Sequence, residues 1–379
     1  MTTDIPDSGT LVQRVTDFFG QNTPLLSAFE AGSRPYEERP QQREMAQSVA
    51  QHLESGTHLC VEAPTGVGKT FAYLVPAIYY AREMELPVVI STHTISLQEQ
   101  IVQNDLPILR RVMGVECNAA IAKGRSNYLC LRRLNSVTNK HQELLPSPDM
   151  LSDLDRLHYW SEETQDGSRS DLDFVPAHEL WDTVCCEIGN CLNARCPYYR
   201  RCFLTRARFR LMDAQIIVSN HALFFSDLAM RRELIAGEGG ILPSYAAVIL
   251  DEGHTVEDVA AVHLGLRLTS FGLRRILHRL FNPDRNRGLL TDSIYTDARM
   301  AVIDLARNSE TFFQRISDWL DNQRDPLRYE KPGHIANMLA ETLELVEREV
   351  GLLAKDQTED EERRQEFKSV YSRLNEYRL

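Results

Sequence analysis

The sequence predicts an α/β fold with a parallel sheet, a small cysteine-rich insertion and a C-terminal all-helical region. Strand-like and helix-like segments alternate from about residue 40 to residue 262, which is typical of a parallel sheet covered by helices on both faces. This alternation is interrupted between about 130 and 205, where cysteines and charged residues accumulate. After about residue 262 only helical periodicity remains.

The predicted elements begin with a short apolar helix at 11–19 and an amphipathic helix at 39–53. The sheet region then contains predicted strands at 58–62, 87–92, 119–122, 214–219 and 246–250, and predicted helices at 70–83 and 95–106. Apolar stripes at helical spacing within 302–319 and 335–350 are interpreted as core positions. The segment 355–378 alternates in charge and is predicted to be a solvated helix.

A glycine-rich loop after the predicted strand 58–62 is the clearest chemical motif. Gly66 and Gly68 let the loop turn tightly, so that backbone N–H groups point inward at phosphate oxygens. Lys69 would reach the β- and γ-phosphates, Thr70 would bind Mg²⁺, and the following helix adds the positive end of its dipole. The competing interpretation is a turn that binds nothing. The loop consists of Ala63, Pro64, Thr65, Gly66, Val67, Gly68, Lys69 and Thr70.

Two adjacent acids, Asp251 and Glu252, follow the apolar run 246–250 directly. Such a run indicates a buried parallel strand, and open α/β sheets bind their ligands at the carboxyl ends of strands. Asp251 would hold Mg²⁺, and Glu252 would polarise the attacking water as a general base. A pair of exposed acids in a turn is the alternative, which the upstream loop disfavours. Together the two motifs predict a chain that binds and hydrolyses a nucleoside triphosphate.

The composition is ordinary for a globular protein. The 379 residues are 43% hydrophobic and 25% charged, which is compatible with two or three domains. The net charge of −12 means that any contact with nucleic acid must be a local basic patch. The sequence contains no apolar run of about 18 residues, so no membrane span is predicted. Because the N-terminus lacks the pattern of a secretory leader, we expect a cytoplasmic chain with reduced cysteines.

Four cysteines form a second candidate site. Cys191, Cys196 and Cys202 are spaced C-x4-C-x5-C, and Cys130 lies 61 residues before Cys191. Four thiolates can hold an iron–sulphur cluster, and a four-cysteine zinc site is the main competitor. Unligated cysteines are a third possibility. Spacing alone also leaves open whether Cys185 or Cys186 replaces Cys130.

A basic, aromatic stretch overlaps these cysteines. The segment 188–212 contains no acidic residue, and Glu187 directly precedes it. Arginine neutralises backbone phosphates and aromatic rings stack on unpaired bases, so the segment is a candidate nucleic-acid surface. A helix that alternates core residues with solvated arginines is the competing interpretation. The residues concerned are Arg195, Arg200, Arg201, Arg206, Arg208 and Arg210, with Tyr198, Tyr199, Phe203 and Phe209.

These motifs, in this order, resemble the DinG/XPD-like iron–sulphur helicases of superfamily 2, and within them the bacterial DinG and YoaA branch. Residues 39–42 resemble the adenine-sensing Q motif, to which Arg39 belongs and in which Gln42 would read the base edge. Residues 62–70 resemble motif I, and residues 251–254 resemble motif II with Gly253 where alanine is common. Three further segments match: 91–100 resembles motif Ia, 123–130 the entry to the cluster domain, and 218–223 the asparagine–histidine segment.

The resemblance implies a domain plan. It comprises an N-terminal extension (1–38), a RecA-like domain in two parts (39–129 and 205–264), a cluster insertion (130–204) and a helical arch-like domain (265–379). It also implies that a 4Fe–4S cluster is held by Cys130, Cys191, Cys196 and Cys202, with Cys130 favoured over Cys185 and Cys186. His254 would couple the nucleotide site to the DNA-binding side.

The activity implied by the resemblance is that of an ATP- and Mg²⁺-dependent helicase in DNA repair or replication. It would move 5′ to 3′ on single-stranded DNA and open forked or damaged duplexes, and we expect a monomer. The chain stops at Leu379 inside the helical region, whereas family members continue with a second RecA-like domain. We therefore expect weak or absent hydrolysis by this chain alone. The alternatives are a nucleotide-gated single-stranded DNA-binding fragment that does not unwind, and a small-molecule kinase, which needs neither the cysteines nor the basic stretch.

Overall fold

The computed structural model describes residues 9–20, 23, 25–26, 37–139, 148–233, 240–264, 268–321, 333, 335–356 and 361–377. It divides into two compact units. Unit 1 comprises Met1–Gly124 and Phe203–Gly265, and unit 2 comprises Arg125–Cys202 and Leu266–Leu379. The cysteine-rich segment and the C-terminal helical region therefore belong to the same unit.

Unit 1 is built on a four-stranded, fully parallel sheet with the strand order β2-β3-β1-β4. The register is fixed at the centre, where Ile90 of β1 pairs with Val218 of β3 and Ile249 of β4. These strands confirm four of the five predicted from sequence. Their bounds are Val88–Thr92 (β1), Ala119–Ile121 (β2), Ile216–Asn220 (β3) and Ala247–Leu250 (β4).

Helices cover both faces of this sheet, as the alternation of elements predicts. On one face, Val88, Ile90 and Val218 pack in the same apolar core as Leu74 and Phe18. On the other face, Val89 and Ile217 pack with Leu211, Phe224 and Phe225. Successive strand residues point to opposite faces, so an uninterrupted apolar strand serves both cores.

The helices of both units are numbered here in chain order. They are Leu11–Phe18 (α1), Pro40–Ser55 (α2), Lys69–Met84 (α3), Ile95–Gln100 (α4), Leu106–Met113 (α5), Leu131–Asn139 (α6), Pro148–Glu163 (α7), His178–Val184 (α8), Phe203–Met212 (α9), His221–Glu233 (α10), Val256–Leu264 (α11), Ser270–Leu280 (α12), Thr296–Asp321 (α13), Ala340–Leu353 (α14) and Glu361–Glu376 (α15). A single π-helical turn, Ile101–Asp105, joins α4 to α5, so the helix predicted at 95–106 extends to Met113. Among the described residues, no helix is both long and apolar enough to cross a membrane.

The predicted strand 58–62 is wrong as an element of the sheet. These residues form no strand ladder with any described residue, and the side chains of Leu59 and Val61 are exposed. An apolar run becomes a strand only when another backbone satisfies its N–H and C=O groups. The outer side of β4 likewise has no strand partner among the described residues, and Leu250 at its end is exposed.

Unit 2 combines a cysteine-rich part with a helical part. Leu129, Leu157 and Trp181 are buried in the first, whereas Leu305 and Val346 lie in the apolar core of the second. The predicted apolar stripe at 302–319 lies within α13. Of the stripe at 335–350, only residues 340–350 are helical, in α14, whereas residues 335–339 precede that helix.

The interpretation of 355–378 as a solvated helix is wrong. Helix α15 buries Phe367, Val370 and Leu374 completely or almost completely in the helical core. Its charges are so dense that they conceal an apolar stripe with spacings of three and four residues, which is the signature of an amphipathic helix. One of these charges, Glu366, is also largely buried and forms part of an ionic network that is described below.

Candidate functional site

The phosphate-type loop has the backbone geometry that its glycines predict. Gly66 and Gly68 both have a φ of +86°, which residues with a side chain rarely adopt. Gly68 caps the N-terminus of α3, so Lys69 and Thr70 are the first residues of that helix. The positive end of a sixteen-residue helix therefore lies at this loop.

The two predicted nucleotide-base residues, Arg39 and Gln42, lie against this loop. The Arg39 guanidinium donates to the carbonyl oxygen of Gly66 at 2.6 Å, and the buried Gln42 amide donates to that of Gly68 at 2.9 Å. A Cβ on Gly68 would lie 2.2 Å from the Gln42 amide nitrogen, so this approach requires glycine. The start of α2 thus helps to fix the shape of the loop.

The two acids after β4 lie beside the start of α3. The Lys69 Nζ is 3.7 Å from Oε1 of Glu252, although the two residues are far apart in sequence. Glu252 has a φ of +55°, an uncommon conformation for a residue with a side chain and one that often marks functional sites. Its other oxygen lies 3.5 Å from Nδ1 of the exposed His254. Lys69, Glu252 and His254 are therefore brought together as the sequence predicts.

Tyr73 links the two residues predicted to bind Mg²⁺. Its hydroxyl donates to Oδ2 of Asp251 at 3.1 Å and also hydrogen-bonds with the side chain of Thr70. Burial, together with the nearby Asp251 carboxylate, raises the pKa of Tyr73 well above its usual value, so the phenol stays protonated and remains a donor. Thr70 and Asp251 thus converge on one hydroxyl group. Oxygen ligands of this kind suit Mg²⁺.

His221, the first residue of α10, holds the backbone of Asp251. Its Nε2 lies 2.9 Å from the Asp251 carbonyl oxygen, which can only accept, and its Nδ1 lies 2.7 Å from the Ser91 hydroxyl. Burial lowers the pKa of His221, which favours the neutral ring with a proton on Nε2. The ends of β1, β3 and β4 are therefore tied together at the carboxyl edge of the sheet.

Sequence reasoning assigned no role to Tyr73 or His221. Tyr73 lies in an apolar run that is typical of a core helix, but its spacing of four residues from Lys69 places both on one helix face. His221 lies in the segment that carries the family resemblance. Its position directly after a strand was the available signal for a site residue.

Asp105, in the π-helical turn, is a half-buried acid that interacts electrostatically with Tyr73. Its Oδ2 is buried and has no hydrogen-bond partner within the described part of the chain. Burial raises the pKa of Asp105 to about 6. The folded chain keeps this proton up to about pH 6, whereas an unfolded aspartate releases it near 3.8. The ionised carboxylate therefore destabilises the fold at neutral pH, and the effect fades as the pH falls towards 3.8.

Replacing Asp105 with asparagine should raise the free energy of unfolding at pH 7.5 by about 1 kcal/mol, a figure discounted for partial solvent screening. At pH 4 the variant and the wild type should differ little, because the folded wild type then carries a neutral Asp105 side chain, as asparagine does. Urea unfolding at the two pH values measures the difference. Asp17→Asn, at an exposed position on α1, is the matched control and should change neither value. Equal stabilities of Asp105→Asn and wild type at pH 7.5 would contradict the prediction.

The candidate cluster cysteines lie in unit 2, and three of the four are close enough to interact. Cys196 interacts electrostatically with Cys130 and Cys202. A hydrogen bond between the thiols of Cys130 and Cys186, aided by Arg133 and Arg132, lowers the pKa of Cys130 to about 6. None of the eight cysteines, all of which are described, forms a disulfide bond. In the described part of the chain, no group of three or more His, Cys, Asp or Glu side chains is arranged to hold a metal ion.

The predicted basic and aromatic surface is only partly exposed. Phe203 is buried in the core, so it cannot stack on a base. Arg195 and Arg201 pair with Glu361 at 2.9 Å and with Glu162 at 2.8 Å. On the outer side of α9, however, Phe209 is 58% exposed and Met212 is 73% exposed. Arg208 and Arg210 are exposed on the same helix.

Comparison with known proteins gives consistent matches. The family model described as DEAD/DEAH box helicase matches residues 39–175. The chain is 38% identical over 261 residues to the ATP-dependent DNA helicase YoaA of Escherichia coli (strain K12). The matched region covers 68% of this chain and 38% of YoaA. The chain is 36% identical over 289 residues to the ATP-dependent helicase DinG of Mycobacterium tuberculosis (strain ATCC 25177 / H37Ra), which covers 71% of this chain and 42% of DinG.

A third match is the ATP-dependent DNA helicase DinG of Salmonella choleraesuis (strain SC-B67), at 36% identity over 255 residues, 61% of this chain and 34% of that protein. The chain thus spans between 34% and 42% of the length of these three relatives. The matched family model covers the glycine-rich loop and reaches into the cysteine-rich insertion. The chain therefore carries a match to the DEAD/DEAH box helicase domain over residues 39–175 and is similar to the helicases DinG and YoaA.

Proposed function

We propose that the chain binds ATP and Mg²⁺ at the carboxyl edge of its parallel sheet, as the first RecA-like part of a motor that acts on DNA. The observation that carries the proposal is the approach of Lys69 to Glu252, beside the joint contact of Thr70 and Asp251 with Tyr73. A cation and two sets of oxygen ligands at a helix N-terminus are the parts that phosphoryl transfer requires. The names of the relatives support ATP-dependent work on DNA.

Each residue has a role in this proposal. Backbone N–H groups between Thr65 and Lys69 bind phosphate oxygens, and Lys69 neutralises charge that develops on them. Thr70 and Asp251 would hold Mg²⁺, which supplies charge neutralisation between the phosphates when bound. Glu252 accepts a proton from the attacking water.

The remaining residues hold this group in place. His221 fixes the Asp251 backbone, and Arg39 and Gln42 fix the loop while leaving the Gln42 side chain near the position of a base. His254 lies beside Glu252, and we propose that it transmits the state of the nucleotide to the DNA-binding surface.

Single-stranded DNA is the proposed partner, and the outer side of α9 is the proposed contact. An exposed aromatic ring between two exposed arginines combines a stacking platform with phosphate neutralisation. If this is correct, the affinity of the chain for a fluorescent oligothymidine should fall steeply with salt. A small-molecule kinase would show no such binding. Strand displacement assays on duplexes with a 5′ or a 3′ overhang would then test unwinding and its polarity.

Replacing Phe209 with alanine should weaken oligothymidine binding about tenfold, because stacking of one base contributes about 1–3 kcal/mol. Fluorescence anisotropy titrations at fixed salt measure the change. Tyr159→Ala is the matched control, since Tyr159 is also an exposed aromatic residue but lies beside Glu163 rather than arginine. Binding by Phe209→Ala that equals the wild type would remove α9 from the DNA contact.

We also propose a 4Fe–4S cluster held by Cys130, Cys191, Cys196 and Cys202. The interactions of Cys196 with Cys130 and with Cys202 support the fit. Cys186, which contacts Cys130, is the nearest alternative thiol. When bound, such a cluster cross-links distant segments, and its binding energy contributes to folding.

A further inference from the structure

Glu187, four residues before Cys191, carries a carboxylate that is only 8% exposed and is surrounded by three arginines of unit 2. Arg279 on α12 approaches its Oε1 at 2.7 Å, and Arg373 on α15 approaches the same oxygen at 2.8 Å. Arg133 on α6 lies 3.5 Å from its Oε2. One carboxylate thus joins the cysteine-rich part of unit 2 to two helices of the helical part.

A second layer of contacts extends this arrangement to the cysteines themselves. Glu366 on α15 accepts from Arg279 and, at 2.6 Å, from the Asn190 side-chain amide. The buried Arg132 donates to both the backbone and side-chain oxygens of Asn190, at 3.0 and 2.7 Å. Arg132 is two residues after Cys130, and Asn190 directly precedes Cys191. The Glu187 network is defined as Arg132, Arg133, Glu187, Asn190, Arg279, Glu366 and Arg373.

The backbone of residues 188–190 also lies directly on α15. Ser369 donates to the carbonyl oxygen of Ile188 at 3.0 Å, and Gln365 donates to that of Gly189. Gly189 has a φ of +75°, and a Cβ at this position would lie 3.1 Å from the Ser369 Cα. This close approach leaves no room for the loop to shift along the helix without breaking the network.

Because the network is largely buried, its charges depend on one another. Burial opposes ionisation of Glu187 and Glu366, but Arg279 and Arg133 outweigh it and hold the pKa of each carboxyl below its usual value. Removing one carboxylate leaves arginines that are desolvated and incompletely paired. A simple surface ion pair would have no comparable effect.

We propose that Glu187 is a positioning residue that fixes the loop starting at Cys191 onto α12 and α15, so that the state of the cysteines and the order of α15 depend on each other. The part of this inference that concerns metal rests on the proposed 4Fe–4S site. Coupling between two sites is reciprocal. If loss of the metal shifts α15 towards a disordered state by some factor, then disorder of α15 must lower the affinity for the metal by the same factor. The network therefore connects the insertion to the helical region thermodynamically.

The test uses Glu187→Gln in two arms. In the metal-free chain, we expect maleimide labelling of Cys191 and hydrogen exchange of residues 361–376 to be about tenfold faster than in the wild type, within the usual range of coupling factors. In the chain reconstituted anaerobically with iron and sulphide, we expect iron release to a chelator to be faster than in the wild type. Glu162→Gln is the control, because it breaks the exposed ion pair with Arg201 beside Cys202.

Arg373→Gln covers the case in which Glu187→Gln fails to fold. Its guanidinium is one-third exposed, so a smaller change in the same direction is expected. Labelling and exchange rates equal to wild type in the variant that folds would overturn the proposal. A wild type that takes up no iron would refute the proposed cluster, while the labelling and exchange arm would still decide the role of Glu187.

Discussion

Replacing Lys69 with alanine should weaken the binding of ATP about 100-fold while leaving the fold intact. Lys69 is the first residue of α3, and its ammonium lies 3.7 Å from Glu252 at the edge of the sheet. It would form charge-assisted hydrogen bonds with phosphate oxygens, and losing one or two of these contributes about 3 kcal/mol. The side chain is not part of the apolar core, so its removal should cost little stability.

Titration with a fluorescent ATP analogue in the presence of Mg²⁺ measures this change, and circular dichroism verifies the fold. Lys355→Ala is the matched control, since it removes an exposed lysine from the end of α14. If the dissociation constant of Lys69→Ala for the nucleotide lay within about threefold of the wild-type value, the result would show that phosphate does not bind at this loop. In that case the proposed motor function would fail with it.

Replacing Cys196 with serine should remove most of the iron from the anaerobically purified chain and destabilise unit 2. The thiols of Cys130 and Cys202 both interact with that of Cys196, so three of the four candidate ligands are near one another. A serine hydroxyl is a poor replacement for a thiolate, and binding of the cluster supplies part of the folding free energy of such a segment. We expect iron per chain to fall at least about fivefold, together with a lower unfolding temperature.

Metal analysis of the purified proteins measures this effect and also identifies the metal. Cys60→Ser is the control, because Cys60 is exposed and lies in unit 1. Unchanged iron in Cys196→Ser would remove this residue from the ligand set. Stoichiometric zinc in a colourless wild type would replace the iron–sulphur proposal with a structural zinc site.

Local sequence patterns predicted the sheet and the backbone shape of the glycine-rich loop well, because both depend on short-range chemistry. Four apolar runs became four parallel strands, and Gly66 and Gly68 adopted the positive φ that the loop requires. The run 58–62 has the same local character but forms no ladder. Whether a run pairs depends on distant backbone that no local pattern contains.

The contacts that were not predicted are long-range and polar. From its local sequence Tyr73 looks like a core residue, and only the fold shows that it contacts Asp251. Glu187 likewise looks like a surface acid, and only the fold shows that it pairs with Arg373 on α15. Alternating charges along 361–376 suggested solvent exposure, whereas Glu366 pairs with Arg279 and Arg373 pairs with the buried Glu187 carboxylate. Buried charges are recognisable only when their partners are known, since the pairing is what makes burial tolerable.

The outer side of β4, which pairs with no described strand, has a consequence for the behaviour of the protein in concentrated solution. The backbone groups on this side pair with no strand in the part of the chain that the structure describes, and together with the exposed Leu250 they form a template to which the backbone of another molecule can add. In the segment 58–62, which also pairs with no described strand, the side chains of Leu59 and Val61 are exposed as well. Concentrated solutions of the chain should therefore associate edge to edge, and a lysine in place of Leu250 should delay that association.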